Sequence, residues 1–336
     1  MKHKSLILTL LTVLVFVGCH TKSTTQQTAD PKSMADSVAT VYFTSEISPE
    51  SLVRVFEQLG VNPEGPVCVK ISTGESNKTN YLRPTFIRNL VERVDGTIVE
   101  CCTAYGGNRQ DPKKHWQTIH EHGFDSIFRC DIMDEFGEMR IPVTDTTHIK
   151  YDIVGDHLKN YHYMINLAHF KGHTMGGYGG VLKNASIGVA STSGKAYIHS
   201  AGRSEHPVKA WMPGNLATGP GQDLFIESMA AAAQAVHNYM EGRVVYINVM
   251  NNLSVDCDCM PKPAKPRLKD IGIAASLDPV AVDQACLDMV FAIEPTEDNN
   301  NAPLMRRINS RHGTYLPVYA EKIGLGTRRY QLIEIQ

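Results

Sequence analysis

Short apolar runs alternate with amphipathic segments along most of the chain. Residues 38–43, 66–72, 97–102, 126–133, 163–168, 244–250 and 271–276 have the length and composition of buried strands. Helices are predicted from Ser48, over 84–93, 112–122 and 223–241, and from Asp278 to about residue 293, mostly with a proline at their start. This alternation predicts an α/β fold, with a largely parallel or mixed sheet and helices on both faces.

Parallel sheets of this kind bind ligands beyond the carboxyl ends of their strands. The loops after Cys102 and Ala168 are therefore the first candidates for a site. Residues 169–184 contain many residue types that are common in ligand sites: five glycines, two histidines and two lysines. Four of the glycines, Gly176, Gly177, Gly179 and Gly180, would let backbone amides approach a ligand. A helix predicted at 185–190 would offer its N-terminus to an anion.

The N-terminus has the features of an export signal. Lys2 and Lys4 precede an apolar run at 6–17 that is too short to cross a membrane. Gly18 and Cys19 resemble the lipobox of bacterial lipoproteins, in which the cysteine is lipidated. We expect a signal peptide at 1–18, a flexible lipid-anchored tether at 19–37 and an α/β domain at 38–336, in one or two lobes. The expected location is the cell envelope, on the periplasmic face or the outer membrane, with the lipid membrane as a partner through Cys19.

The charge balance of the chain argues against nucleic-acid binding. The chain has 33 basic and 35 acidic residues and no strongly basic stripe, so nucleic-acid binding is not expected. The motifs of phosphate-binding loops, serine hydrolases and zinc proteases are also absent.

Histidines and arginines near the glycine-rich loops are the candidate functional groups. His169, His173 and His199 suit metal binding or proton transfer, because imidazole titrates near neutrality. Arg109 follows the strand that ends at Cys102 and has the geometry to bind a carboxylate. Arg83 lies just before a predicted helix, where an anionic substrate could reach it.

Cys257 and Cys259 stand apart from the other cysteines, which lie mostly in apolar runs. They follow a strand, in a polar loop rich in proline. The pair fits a redox couple, part of a metal site or a structural role. Its spacing is not that of zinc or ferredoxin motifs, so no ferredoxin-type iron–sulfur cluster is expected.

Six longer motifs together resemble one bacterial family, the domain-of-unknown-function 362 family. They are Tyr-Gly-Gly-Asn-Arg (105–109), His-Phe-Lys-Gly-His (169–173), Gly-Gly-Val-Leu-Lys-Asn (179–184), Gly-Lys-Ala-Tyr-Ile-His (194–199), Asp-Cys-Asp-Cys (256–259) and Ser-Leu-Asp-Pro-Val-Ala-Val-Asp-Gln-Ala-Cys (276–286). Some members of that family are labelled iron–sulfur proteins. Those members carry an added ferredoxin segment, which this chain lacks.

A more distant resemblance links the chain to the N-terminal domain of nickel-pincer lactate racemases. It implies that Lys183 tethers a cofactor, His199 ligates nickel and His173 transfers a proton. It also implies that Arg83 holds a substrate carboxylate. Asn108 stands where the racemases place a second acid/base histidine.

Three functions are compatible with these features. The leading hypothesis is a metal- or cofactor-assisted enzyme, with nickel or iron, that acts on a small hydroxy acid or similar anion. In it His173, Lys183, Arg83 and Asn108 are catalytic. The glycines with Lys183 and Arg109 bind the cofactor, and His199, His173 and His169 bind the metal. The alternatives are a non-catalytic lipid-anchored protein that binds an anion or metal, and a thiol or electron-transfer protein that uses Cys257 and Cys259.

Overall fold

The computed structural model describes residues 38–75, 80–217, 219–260 and 262–336. The expected signal peptide, the tether and Cys19 lie outside these residues. Within them, no helix is both long and apolar enough to cross a membrane.

One eight-stranded sheet forms the centre of the fold, with strand order β12-β1-β11-β10-β7-β2-β3-β4. Its strands are β1 (Ala39–Thr44), β2 (Val67–Lys70), β3 (Thr97–Glu100), β4 (Cys130–Ile132), β7 (Tyr163–His169), β10 (Val244–Met250), β11 (Gly272–Ser276) and β12 (Tyr330–Glu334). Neighbours pair in parallel except where β11 lies antiparallel to β1 and β10. Two small hairpins are added, β5 (Glu138–Pro142) with β6 (Tyr151–Gly155), and β8 (Lys171–His173) with β9 (Gly177–Gly179). The predicted fold class is confirmed.

Ten α-helices are described, together with 3₁₀ turns at Asp156–Asn160 and Gly219–Gly221. The helices are α1 (Pro49–Gln58), α2 (Pro84–Arg93), α3 (Pro112–Glu121), α4 (Val181–Ala185), α5 (Thr192–His199), α6 (Pro207–Ala210), α7 (Gln222–Tyr239), α8 (Pro279–Ala292), α9 (Ala302–Ser310) and α10 (Tyr315–Lys322). Several begin as the sequence predicts, because a side chain before the first-turn proline caps the free backbone N–H groups. Ser48, Asp111 and Asp278 do this for α1, α3 and α8.

Alternate residues of the sheet enter two separate apolar layers, as the two-residue repeat of a strand requires. Val69, Ile165 and Ile247 belong to one layer, which helices α1, α2 and α3 cover. Met164 and Tyr246 belong to the other, which α7 and α8 cover. A sheet buried on both faces leaves the ends of its strands as the place for a site.

The structure differs from the predicted elements in two places near the later site. The strand expected at 126–133 is limited to Cys130–Ile132, and the helix expected at 185–190 is instead Val181–Ala185. That helix begins early because the Asp283 carboxylate accepts hydrogen bonds from the backbone N–H groups of Val181 and Leu182, at 2.9 and 3.1 Å. Gly180 must precede it, since a Cβ there would lie 2.4 Å from Asp283 Oδ1.

Asp283 therefore fixes the start of α4 from a distant part of the chain. Its carboxylate also accepts the Tyr178 hydroxyl at 3.0 Å and the Asn248 amide at 2.8 Å, and it is fully buried. Burial raises the pKa of Asp283 to about 6, although these four donors favour the ionised form. At neutral pH the group acts as an acceptor for all four.

We expect Asp283→Asn to destabilise the domain by about 2–4 kcal/mol, because the new amide N–H₂ faces groups that themselves donate. The measurement is the free energy of unfolding in urea. Asp288→Asn is the matched control on the exposed side of the same helix and should change stability by less than about 0.5 kcal/mol. Equal effects of the two substitutions would contradict the role given to Asp283.

Candidate functional site

The carboxyl ends of β2, β3 and β7 open onto one cavity of about 340 Å³. Lys70, Glu100 and His169 are the last residues of these strands, and all three line the cavity. The glycine-rich segment and the loops after Cys102 and after β10 complete its wall. The two loops singled out in the sequence therefore converge, at the edge predicted for a ligand site.

Charged groups dominate the cavity wall. The cationic side chains are Lys70, Lys171, Lys183, Lys195 and Arg109, and the carboxylates are Glu75, Glu100 and Asp258. Cationic groups outnumber carboxylates among the described lining residues, so the partners of each carboxylate decide where positive charge remains.

Arg109 is held by two of these carboxylates. Its Nε donates to Glu75 Oε1 at 3.2 Å and its Nη1 to Glu100 Oε1 at 2.9 Å, with all three side chains nearly fully buried. Burial alone would raise the pKa of Glu100, but Arg109 and His115 outweigh it and hold that pKa well below its usual value. Arg109 thus lies in the cavity, as expected, but carboxylates of the chain itself occupy much of its guanidinium.

Asp258 neutralises a second part of the wall. Its carboxylate accepts from Lys171 Nζ at 2.6 Å and from His169 Nδ1 at 3.0 Å. The Nε2 of His169 donates to the Asn251 carbonyl at 2.6 Å. Both ring nitrogens of His169 therefore face acceptors, and a metal could bind His169 only if one of these bonds were broken.

Lys183 differs from the other cationic side chains of the cavity in having neither an ion pair nor a hydrogen bond among the described residues. It lies on α4, lines the cavity and is partly exposed there, and its ammonium has no hydrogen bond or ion pair within the described residues. Burial lowers the pKa of Lys183 to about 7, and the neighbouring Lys171 and Lys70 act in the same direction. Near neutral pH Lys183 is thus divided between a cation that attracts an anion and a nucleophilic amine.

Lys70 and Lys195 bind only neutral oxygens. Lys70 Nζ donates to the Ile71 carbonyl and to Asn184 Oδ1, and Lys195 Nζ donates to the Ala190 carbonyl. Burial lowers the pKa of Lys70 to about 8. Lys70, Lys183 and Lys195 thus form no ion pair among the described residues, and the five cationic side chains of the lining exceed its three carboxylates by two.

His199 presents an unprotonated nitrogen. Its Nδ1 donates to the Lys195 carbonyl at 2.6 Å, and its ring packs against Trp211 and Phe225. Burial lowers the pKa of His199 to about 4, so the ring is neutral and Nε2 retains its lone pair. A histidine whose other nitrogen is bound to a carbonyl is the usual form of a metal ligand.

His173 has the opposite tautomer. Its Nδ1 accepts from the backbone N–H of Gly176 at 2.9 Å and of Met175 at 3.3 Å. Burial lowers the pKa of His173 well below its usual value, and Lys183 and His199 contribute to this. The neutral ring therefore carries its proton on Nε2 and acts as a hydrogen-bond donor.

Cys257 and Cys259 form a disulfide in the cavity wall. The two sulfur atoms and one ring nitrogen of His173 all lie within 4.8 Å of one another. Of the other described cysteines, Cys68, Cys101, Cys102 and Cys286 are buried and Cys130 is half-buried, close to the expectation of buried thiols.

The remaining candidates lie at different distances from the cavity. Gly179 and Gly180 line it, whereas Gly176 and Gly177 do not. Gly177 instead has a φ of +81° and packs against Gly313. Arg83 and Asn108 are exposed and do not belong to the lining residues, and the Arg83 guanidinium lies 4.0 Å above the Tyr81 ring. Arg83 is therefore not part of the cavity wall that a substrate carboxylate would contact.

Several site residues were not predicted from the sequence. Lys70 ends an otherwise apolar strand at the edge where ligands bind, and this position was a usable signal. Glu75, Glu100 and Lys195 gave no such signal, because their roles depend on contacts with distant segments.

Comparisons with known proteins identify a family for the chain. No curated protein matches the chain. Similar solved structures include the lactate racemase apoprotein from Thermoanaerobacterium thermosaccharolyticum, at 12% identity and a TM-score of 0.44, over 77% of this chain and 58% of the other. A Thermotoga maritima protein of a structural genomics programme gives 12% identity and a TM-score of 0.39, over 71% and 57%.

The chain thus spans less than two thirds of the length of either solved structure. A family model matches the chain over residues 67–288. Residues 67–288 include β2 through most of α8 and therefore every described residue that lines the cavity. Over these residues the chain matches, and so belongs to, the family described as a domain of unknown function, DUF362, as the six motifs predicted.

Proposed function

We propose that the protein is an enzyme that acts on a small organic anion, of the hydroxy-acid class or similar, bound in the cavity. The observation that carries the proposal is Lys183. Lys183 lines the cavity without an ion pair among the described residues, burial lowers its pKa to about 7, and it lies close to the neutral rings of His173 and His199.

Charge supports an anionic ligand. Lys70, Lys183 and Lys195 bring positive charge to the cavity wall and form no ion pair among the described residues. Burying charges in this way is unfavourable unless a ligand compensates for it. An anion would relieve their mutual repulsion, and the volume of about 340 Å³ suits a small molecule.

The two histidines would then have different roles. The N–H of His173 Nε2 can donate to an oxygen of the anion, as a neutral imidazole does when it polarises a carbonyl. His199 Nε2 can accept a proton or bind a metal ion. A proton donor (His173) and a proton acceptor (His199) close to the Lys183 amine are suited to moving protons on a bound hydroxy acid.

A nickel-pincer cofactor is implied by the sequence resemblance, and two residues fit it. Lys183 has the free amine that a covalent tether needs, and His199 has a free Nε2 for the metal. Such a group would supply an electrophilic metal centre beside the anion. Asn108 lies outside the cavity, so proton transfer from the side of a second histidine has no counterpart here.

Attachment to the cell envelope is a separate part of the proposal. The basic start, the short apolar run and the Gly18–Cys19 pair support export and lipidation at Cys19. Fractionation of cells and the mass of the N-terminal peptide test it, and Cys19→Ser should release the chain from the membrane fraction.

Lys183→Gln should weaken binding of a hydroxy acid such as lactate at least tenfold and abolish turnover, because it removes the unpaired cation. The measurement is calorimetric titration at pH 6, followed by chiral analysis of the acid after incubation. For the wild-type protein, affinity should fall as pH rises through about 7, where the Lys183 ammonium becomes neutral.

Lys113→Gln is the control for this test. It removes an exposed lysine on α3 that is not among the residues lining the cavity, and should leave binding and turnover unchanged. Saturable binding without any product would favour the non-catalytic binding protein instead. Equal affinity of Lys183→Gln and wild type would contradict the anion site.

The Lys183 amine should react with acetic anhydride to half its maximal extent near pH 7, because burial lowers its pKa. Ordinary lysine amines titrate at about 10.4 and keep gaining reactivity above that pH. Peptide mass spectrometry across a pH series measures this, with the exposed Lys113 peptide as the reference for reagent dose. A Lys183 profile that still rises above pH 9 would contradict it.

A tethered nickel-pincer cofactor predicts that protein purified from its native host without chelators carries a metal. Elemental analysis and intact mass measure this. Stoichiometric nickel with added mass on Lys183 would support a tethered cofactor, and His199→Ala should then lose the metal but keep the added mass. An unmodified chain without metal would leave Lys183 and the two histidines as the reactive groups.

A further inference from the structure

The disulfide between Cys257 and Cys259 lies in the wall of the same cavity, and the proposed function does not use it. Both cysteines line the cavity, and Cys259 is the more exposed of the two. A disulfide that only braced the fold would gain little here, because it closes a loop of just one intervening residue. Its position beside a ligand cavity therefore needs another explanation.

The loop that carries the disulfide is held rigidly against β8. The Gly172 N–H donates to the Ser254 carbonyl at 2.8 Å, and a Cβ at Gly172 would lie 2.3 Å from the Val255 carbonyl oxygen. Asp258, between the two cysteines, binds His169 and Lys171. Since none of these contacts involves sulfur, the two cysteines should remain at the cavity after the disulfide is reduced.

His173 lies beside the sulfurs as a proton donor and not as a ready metal ligand. Its Nδ1 lone pair is used by two backbone N–H groups, so Nε2 carries the proton. A metal at Nε2 would require loss of that proton. One ring nitrogen of His173 lies within 4.8 Å of both sulfurs, and the cationic side chains that line the cavity favour a thiolate there.

We propose that Cys257 and Cys259 form a redox-active pair that exchanges with a small anionic thiol bound in the cavity. The thiolate of the ligand attacks Cys259 Sγ, the disulfide bond breaks, and its electron pair goes to Cys257 Sγ. A second thiolate attacks the ligand sulfur of the mixed disulfide and releases Cys259 as a thiolate. One disulfide of the ligand forms, and the protein pair is reduced by two electrons.

The anionic character of the thiol rests on the proposed anion site. A carboxylate or sulfonate on the thiol would bind the lysines that lack a counter-ion and bring its sulfur to Cys259. Because the cations of the cavity wall favour the thiolate form of the reduced pair, the disulfide acts as an oxidant toward such thiols.

The test compares two thiols of similar size, 2-mercaptoethanesulfonate and the uncharged 2-mercaptoethanol, at equal thiolate concentration. The full chain is incubated with each, quenched with acid and alkylated, and its mass is followed with time. We expect the sulfonate to reduce the disulfide about tenfold faster, with one ligand disulfide formed per chain. Lys183→Gln should remove this advantage and Lys113→Gln should keep it.

The double variant Cys257→Ser with Cys259→Ser should form no ligand disulfide and still bind a hydroxy acid. This separates failure of the exchange from failure of the anion site. If the wild-type disulfide resists both thiols while anion binding depends on Lys183, the exchange is wrong and the proposed function stands. If both thiols reduce it at equal rates, the cavity does not select an anionic thiol and the inference is overturned.

Discussion

Positive charge crowded around one cavity is the constraint on which the site depends. Ions taken out of water cost several kcal/mol each unless they are paired. Arg109 meets that cost with Glu75 and Glu100, and Asp258 does the same for Lys171. Lys183 has no such partner among the described residues, and burial lowers its pKa to about 7. A cation left unpaired in this way is unfavourable for stability and useful for binding, because an entering anion supplies the missing charge.

Carboxylates from late in the chain hold the glycine-rich segment that carries the reactive groups. Asp283 caps α4 and so places Lys183, while Asp258 holds His169 and Lys171. Asn184 joins the same helix to β2 and β7, through the Lys70 carbonyl and Asn166. Hydrogen bonds over such sequence separations form only when the sheet is complete. The site is therefore a product of the whole domain, and a loop rich in glycine can be rigid within it.

The sequence was most informative where the signal is local. Apolar runs predicted seven of the eight strands of the central sheet, helix-start signals predicted five of the ten described helices, and β10 and α2 were predicted to their ends. The strand-end rule also placed the two glycine-rich loops at one cavity. Contacts between residues that are far apart in the sequence could not be predicted. The start of α4 at Val181 is set by Asp283, 102 residues later in the chain. Ion pairs between distant residues also leave no local sequence pattern, so the sequence did not identify Glu75 and Glu100 as site residues.

The tautomers of the two cavity histidines follow from backbone geometry alone. A carbonyl can only accept, so the bond from His199 Nδ1 to Lys195 leaves a lone pair on Nε2. An N–H can only donate, so the bonds from Gly176 and Met175 to His173 Nδ1 leave a proton on its Nε2. Burial keeps both rings neutral, since it lowers both pKa values. One ring can therefore bind a metal or take a proton, and the other can only give a hydrogen bond. The fold thus gives two identical side chains complementary roles near Lys183, because α5 offers the Lys195 carbonyl oxygen and the turn at Gly176 offers N–H groups.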